Sequence, residues 1–579
     1  MLWLVLLLLP GCWGGTQDSP TAEVPQGTIL GRWFTTRGGR DVEGYLGIPY
    51  AAPPLGPLRF RPPQPPLPWE GQLDATEDGQ ECLQAMVPVG AEDCLYLNVY
   101  TPHATPKPKY TVMVFIYGGG FEIGSAYSYT YGPDYFLDED IVLVTLNYRV
   151  GVLGFLSLDD PALPGNLGLK DQRLALRWIH RNIIYFGGDP RRITIFGQSA
   201  GAASVHYHMK FTSHEGLFRS AILQSGSSFD CWAFQPPGSQ QIYIDFIAAR
   251  TACNQTNSHE FVDCLRTVPA ERFSIILGQL LVNSDPLMRK VTLLTPVIEP
   301  PGSEDPFITV DPYTVPTAIP MIAGVTDMEA LDINLPPYLY QDPTDTLFAG
   351  LDSNYTLFLP VNLQYNDTAQ DPVSVSKKLK EFYLGDEHFA RKNYLDIVKL
   401  YSDGSFINGV YRAARSNRQK TYFYLFSYLG LNSITYSTGS TGRFGAAHAD
   451  DLYFFFKVNA PADEVPADVE LSKKLVKMWT NFAQHFDPNG NYFPVHWAPV
   501  STPHIEYLSI GQTNITMEEK PFLPSRMEFW DELPFRNKPI EFKWPSTPSH
   551  SLSISRITEK YLGNRQGQQT SHLYASDSE

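Results

Sequence analysis

The sequence predicts an α/β fold: a large, mostly parallel, doubly wound sheet flanked by helices. Three observations carry this reading. Apolar runs at 111–116, 141–146, 193–196 and 221–223 are short and do not alternate, as strands buried on both faces require. Leu169 to Tyr185 intervenes with helical spacing, placing Leu174, Leu176, Ile179 and Ile183 on one apolar face. Strands alternating with helices then imply parallel neighbours joined by crossovers.

Taken in order, Met1 to Pro10 is an apolar run followed by small residues around Gly14, the pattern of a secretory leader lacking a basic n-region. Residues 1–15 are expected to be removed, residues 16–535 to form the folded domain, and Ser-, Gln- and Thr-rich residues 536–579 to form a flexible tail. The leader is too short to span a bilayer, no other segment reaches that length, and the terminal YASDSE is no anchor or retention signal. A secreted protein without a membrane anchor is expected. Residues 25–70 are rich in Gly and Pro, which fits short edge strands and turns. Further strands are expected at Pro320 to Val325 and Tyr422 to Phe426, and a helix at Val469 to His485, ended by Asp487-Pro488-Asn489-Gly490.

Composition narrows the function classes. A 43% hydrophobic, 18% charged chain of 579 residues supports a large core. Its net charge of −17 argues against nucleic acid or an anionic membrane as partner, and chiefly serves solubility. Once Cys12 leaves with the leader, Cys82 with Cys94 and Cys253 with Cys264 form close pairs suited to an oxidising compartment. Cys231 is left over and is expected to be a free buried thiol. Asn254, Asn354, Asn366 and Asn514 head sequons for glycosylation.

The chemistry centres on Ile193 to Val205. A strand stops at Gly197, and a run of helix formers begins after Ser199, so Gly197-Gln198-Ser199-Ala200-Gly201 reads as a nucleophile elbow. Without Cβ atoms, Gly197 and Gly201 let strand and helix close around a serine in a strained turn. Acyl transfer at Ser199 needs a base, an acid that orients it, and donors for an oxyanion. In this strand–turn–helix context the order is Ser, acid, His, which leaves His388, His448, His485, His496, His504, His550 and His572. His448, in the small-residue stretch Gly445-Ala446-Ala447-His448, is best placed to present an imidazole from a loop. The acid should follow the 320–325 strand, where Asp327 and Glu329 are both candidates. Gly118-Gly119-Gly120, just after the 111–116 strand, frees backbone N–H groups to converge on one point. No phosphate loop, zinc spacing or dinucleotide fingerprint competes, so neither cofactor nor metal is expected.

On these residues the chain resembles the type-B carboxylesterases of the carboxylesterase/cholinesterase family, which have the α/β-hydrolase fold. The matching stretches run from GIPYA at 47–51 through EDCLYLNVY at 92–100, YGGGF at 117–121 and NYRVGVLGF at 147–155. They continue with NLGLKDQ at 166–172, FGQSAGAASV at 196–205, HADDL at 448–452, MWTNFA at 478–483 and FWDEL at 529–533. The resemblance implies Ser199 as nucleophile, His448 as base and Glu329, rather than Asp327, as acid. It also implies oxyanion donors at Gly119, Gly120 and Ala200, and disulfides Cys82–Cys94 and Cys253–Cys264. Two departures bear on substrate: Gln198 stands where cholinesterases carry Glu, and the loop at 83–93 is short and lacks their choline-stacking Trp. GQSAGAASV instead resembles the insect and nematode esterase branch. The resemblance therefore implies hydrolysis of uncharged carboxylic esters, of small molecules or lipids, through an acyl-serine. A lipase is the nearest alternative and a non-catalytic adhesion relative a remoter one. An acyl pocket shaped in part by residues 290–310 is expected.

Overall fold

The computed structural model describes residues 18–104, 108–282, 284–366, 368–436, 442–458, 465–490, 493, 495–501 and 505–535. The expected leader and tail lie outside them, as do Cys12, His504, His550 and His572. In chain order the first strands are β1 (Thr21–Val24), β2 (Gly27–Leu30), β3 (Arg32–Thr35), β4 (Asp41–Pro49), β5 (Gln72–Asp74) and β6 (Tyr96–Pro102). Next come β7 (Tyr110–Ile116), β8 (Ile141–Leu146), β9 (Gly188–Gln198), β10 (Ser220–Gln224) and β11 (Met321–Thr326). The last are β12 (Thr421–Phe426), β13 (Tyr507–Ile510) and β14 (Ile515–Glu518). An 11-stranded sheet has the order β14-β13-β12-β11-β10-β9-β7-β8-β6-β4-β3, and β1, β2 and β5 form a small separate sheet.

The sheet is parallel in its middle, from β8 across to β13, and antiparallel at both edges. Every residue of β7, β8, β10 and β11 is buried, which is why these segments read as unbroken apolar runs. The chain steps from β7 outward to β8, then crosses back through the helix Leu167–Asn182 to place β9 on the other side of β7. From β9 onward it winds the opposite way. The crevice beyond the carboxyl ends of β7 and β9 is thus the topological switch point, where ligands bind in open α/β sheets.

The expected helix at 169–185 begins two residues earlier and ends at Asn182, continuing as the 3-10 turn Ile183–Phe186. Leu176, Ile179 and Ile183 are buried, whereas Leu174 is only half-buried. The helix expected at 469–485 spans Pro466–His485. Both cysteine pairs are bonded, with Cα–Cα distances of 4.8 Å for Cys82–Cys94 and 5.7 Å for Cys253–Cys264. Cys231 is free but half-buried rather than buried, a correction explained by the cavity it borders. Asn254, Asn354, Asn366 and Asn514 are all exposed. Among the described residues no helix is long and apolar enough to cross a membrane.

Candidate active site

Ser199 sits between β9 and the helix Ala200–Phe211 with φ 58° and ψ −127°, a conformation strongly disfavoured for a residue with a Cβ. The surroundings hold it there. Its N–H donates to the Gln224 carbonyl at 2.9 Å, and its carbonyl accepts from Ala203 N–H at 2.9 Å. A Cβ on Gly201 would lie 2.0 Å from the Ile116 carbonyl oxygen, and one on Gly197 would lie 2.6 Å from the same atom. These contacts show why the turn can close only with glycine at both positions.

The glycine loop after β7 packs directly on this elbow. A Cβ on Gly118 would fall 2.6 Å from the Gln198 carbonyl oxygen and 2.8 Å from Ser199 Cβ. Gly119 and Gly120 take φ of +97° and +66°, which turns the backbone back on itself. Their N–H groups have no hydrogen-bond acceptor among the described residues. Ala200, in the first turn of its helix, adds an N–H that has no intrahelical partner. Free donors beside a serine at a helix N-terminus favour negative charge there.

His448 and Glu329 arrive on loops after β12 and β11. Glu329 Oε2 lies 2.6 Å from His448 Nδ1, and Glu329 Oε1 accepts from Thr326 N–H at 2.8 Å. Ser199, His448 and Glu329 are 8%, 4% and 0% exposed. Burial works against the imidazolium, but the carboxylates around it, Glu329 first and then Asp332 and Asp451, together raise the His448 pKa above the ordinary 6.5. The two acid candidates separate cleanly. Asp327 turns away from the imidazole and accepts from Ala446 N–H at 2.8 Å, bracing the loop that carries His448. Burial pushes its carboxyl up to about 6. Of the other histidines, His388 lies at the surface against Asp352 and His485 is exposed at a helix end.

Three contacts around the imidazole were not legible in the sequence. The Gln198 side-chain amide stands 3.0 Å from His448 Nε2. Phe406, in the π-helical turn Asp403–Ile407, packs on the imidazole with ring centroids 4.3 Å apart. Asp332 accepts from the His448 backbone N–H at 3.2 Å. An aromatic wall continues from Phe406 to Trp232 at 5.5 Å and on to Phe121 at 6.1 Å. Thr292, within the stretch expected to shape an acyl pocket, closes on this wall. Its hydroxyl donates to the Trp232 carbonyl at 3.0 Å, and its methyl lies 3.3 Å from where a Gly120 Cβ would be.

Comparison with known proteins agrees with this geometry. The model of the carboxylesterase family matches residues 18–530. A carboxylic ester hydrolase of Bombus ignitus is 34% identical over 93% of this chain and 99% of its own. A juvenile hormone esterase of Tribolium castaneum is 34% identical over 86% of this chain and 89% of its own. The crystal structure of juvenile hormone esterase from Manduca sexta, with OTFP covalently attached, superposes with a TM-score of 0.78 at 28% identity. It covers 89% of this chain and 99% of that one. With strand order, elbow and whole-length similarity in accord, the chain belongs to the carboxylesterase family and is a carboxylic ester hydrolase with the α/β-hydrolase fold.

Proposed function

We propose that the protein is a secreted serine esterase that cleaves uncharged carboxylic esters through an acyl-Ser199 intermediate. The observation that carries this reading is the buried 2.6 Å contact of Glu329 with His448, whose far nitrogen faces the elbow at Gln198. In this mechanism Nδ1–H donates to Glu329, which leaves Nε2 as the basic atom. Nε2 takes the Ser199 proton as Oγ attacks the ester carbonyl, and Glu329 stabilises the resulting imidazolium. The oxyanion of the tetrahedral intermediate accepts from Gly119, Gly120 and Ala200 N–H. Nε2 then returns the proton to the leaving alcohol, and water repeats the sequence to release the acid. Every step uses groups of the chain, substrate or water.

The aromatic wall of Phe121, Trp232 and Phe406 is suited to an apolar ester group rather than a quaternary ammonium. Two relatives are named juvenile hormone esterases, which supports an uncharged, largely apolar substrate. Secretion is supported by the leader-like start, the two disulfides and the exposure of all four sequon asparagines.

The test compares secreted wild type with Ser199→Ala on p-nitrophenyl esters of increasing acyl length, with acetylthiocholine alongside. Wild type alone should hydrolyse the esters, with acetylthiocholine poor, and an organophosphate should label Ser199. Turnover surviving in Ser199→Ala would remove Ser199 as nucleophile, and preferential attack on emulsified triglyceride would turn the reading to a lipase.

A further inference from the structure

A cavity of about 480 Å³ is bordered by Phe229, Asp230, Cys231, Phe234 and Gln235, by the helix Asn408–Ser416 and by Trp530 and Phe535. Its lining includes none of Ser199, Glu329 and His448. Drug-sized ligands occupy cavities of about 300–1,000 Å³. Its walls are aromatic: the Phe229 and Tyr313 rings stack at 5.0 Å, and those of Trp530 and Phe535 at 6.1 Å.

The charges on this lining do not cancel. Arg415 is paired with Asp531 at 2.5 Å. Arg412 and Lys290 have no ion-pair partner among the described residues; the Arg412 guanidinium rests 5.8 Å from the Phe229 centroid and 5.6 Å from that of Tyr313. Two acidic groups also line the cavity. Burial lowers the Lys210 amine to about 7, and the charge of Asp311 opposes that shift only in part. Asp230, 2% exposed, accepts from Ser227 N–H through Oδ2 at 2.6 Å, while Oδ1 has no partner. Burial holds the Asp230 carboxyl well above the usual carboxylate range, which favours its uncharged form. The amide oxygens of Asn408 and Gln364 are buried here without a partner, and an anion would be met only with either amide turned to present its NH₂. An enclosure with aromatic walls, two free cations and unsatisfied buried polar groups is built for an amphipathic anion.

We propose that this cavity is a ligand site separate from the catalytic centre, and that it takes a carboxylate with an apolar body, the chemical class of acid that ester hydrolysis releases. Arg412 and Lys290 receive the carboxylate, and the aromatic walls receive the chain. The site shares a wall with the active site. Asp230 and Cys231 lead into Trp232, whose indole N–H donates to the Ser405 carbonyl at 2.7 Å, and Ser405 precedes Phe406 on the His448 ring. Occupancy is therefore felt at the imidazole without contact to it.

The experiment titrates the full-length protein with decanoate by calorimetry, untreated and after organophosphate treatment, beside Arg412→Gln and Lys290→Gln. One site persisting in treated protein, weakened at least 10-fold by Arg412→Gln and less by Lys290→Gln, supports the proposal. Decanol and decyltrimethylammonium should compete poorly. In steady state, decanoate should inhibit wild type in a mixed pattern and Arg412→Gln competitively, with uninhibited kcat/KM unchanged. Binding abolished by the organophosphate, indifferent to Arg412→Gln, or matched by decanol overturns it. The Arg412-dependent component is also read on untreated protein, so failure of the organophosphate to label would count against the serine mechanism alone.

Discussion

The side-chain amide of Gln198 stands 3.0 Å from Nε2 of His448, so the residue before the elbow serine touches the nitrogen that takes the serine's proton in the proposed mechanism. With Nδ1–H committed to Glu329, the Gln198 amide lies within hydrogen-bond reach of Nε2 and must yield that position when Nε2 accepts from Ser199 Oγ. Gln198→Glu puts a carboxylate at this position. An anion beside the ring favours imidazolium and raises its pKa by about 1 unit or more. Because the base acts when neutral, the acid limb of the kcat/KM profile should move to higher pH by that amount, lowering activity at pH 6. Acetylthiocholine turnover should rise relative to a neutral ester. An unmoved acid limb would mean that Gln198 does not act on the imidazole.

Glu329→Gln keeps the shape of the acid and removes its charge. Thr326 N–H can still be satisfied by the amide oxygen, so the fold should be retained. The amide NH₂ facing Nδ1 would favour the tautomer with its proton on Nε2, which cannot accept from Ser199. We expect kcat to fall about 10⁴-fold. The acid limb should also move to lower pH, since the first of the charges that raise the His448 pKa is gone. A loss below about 10-fold in stopped assays on p-nitrophenyl butyrate would point to another acid, with Asp327→Asn the next variant to test.

Two glycines near Ser199 should behave differently when replaced by alanine. At Gly201 the new Cβ would lie 2.0 Å from the Ile116 carbonyl oxygen, a backbone atom that cannot yield. Gly201→Ala should cost about 4 kcal/mol or more and give little secreted protein. At Gly120 the nearest atom is the Thr292 methyl at 3.3 Å, so the cost is mainly that of a positive φ, about 1–2 kcal/mol. Gly120→Ala should therefore fold, and relief of the positive φ should turn its N–H off the oxyanion and lower kcat about 10²–10³-fold. Thermal melting beside kcat measures both effects, and a Gly120→Ala enzyme of full activity would exclude that N–H from the oxyanion hole.

The central strands were legible because burial on both faces demands unbroken apolar runs, as β7 and β8 show. β6 was not, although it is nearly as buried, because Asn98 interrupts it. That side chain is kept in the core by hydrogen bonds to Gly47 N–H, Asp78 and the Ala126 carbonyl, a network made by chain distant in sequence. The helix Thr346–Asn362 was hidden for a local reason: Pro360 lies inside it and Asn354 departs from helical geometry. At the site, the elbow and glycine loop show in the sequence because close backbone approach demands glycine. Asp327 and Glu329 could not be told apart by spacing, since both follow β11 and only the side-chain direction separates them. Phe406 and Asp332 leave no signal at all: an aromatic or carboxylate in a helical turn has many uses, and only folding sets these beside His448.

Asp332 supplies a pH test of that surrounding shell. Burial, helped by Asp450 and Glu329 and opposed by His448, pushes its carboxyl up to about 8 from 3.8. Between these values the folded protein holds a proton that the unfolded chain releases, so this group makes stability fall as pH rises from about 4 to about 8. The effect is constant above that window. Asp332→Asn removes the titration, while its amide oxygen can still accept from the His448 N–H. The melting temperature of Asp332→Asn relative to wild type should therefore climb between pH 5 and pH 8 and then level. The slope should stay under about 1.4 kcal/mol per pH unit, because Asp332 keeps part of its surface in solvent. Activity at pH 7 should change only a few-fold, since Asn resembles the protonated acid. A melting difference that stays flat across pH 5–8 would show that Asp332 is already ionised in the folded protein. In that case His448 stands between two carboxylates rather than one, and the acid limb of wild-type activity would fall in Asp332→Asn.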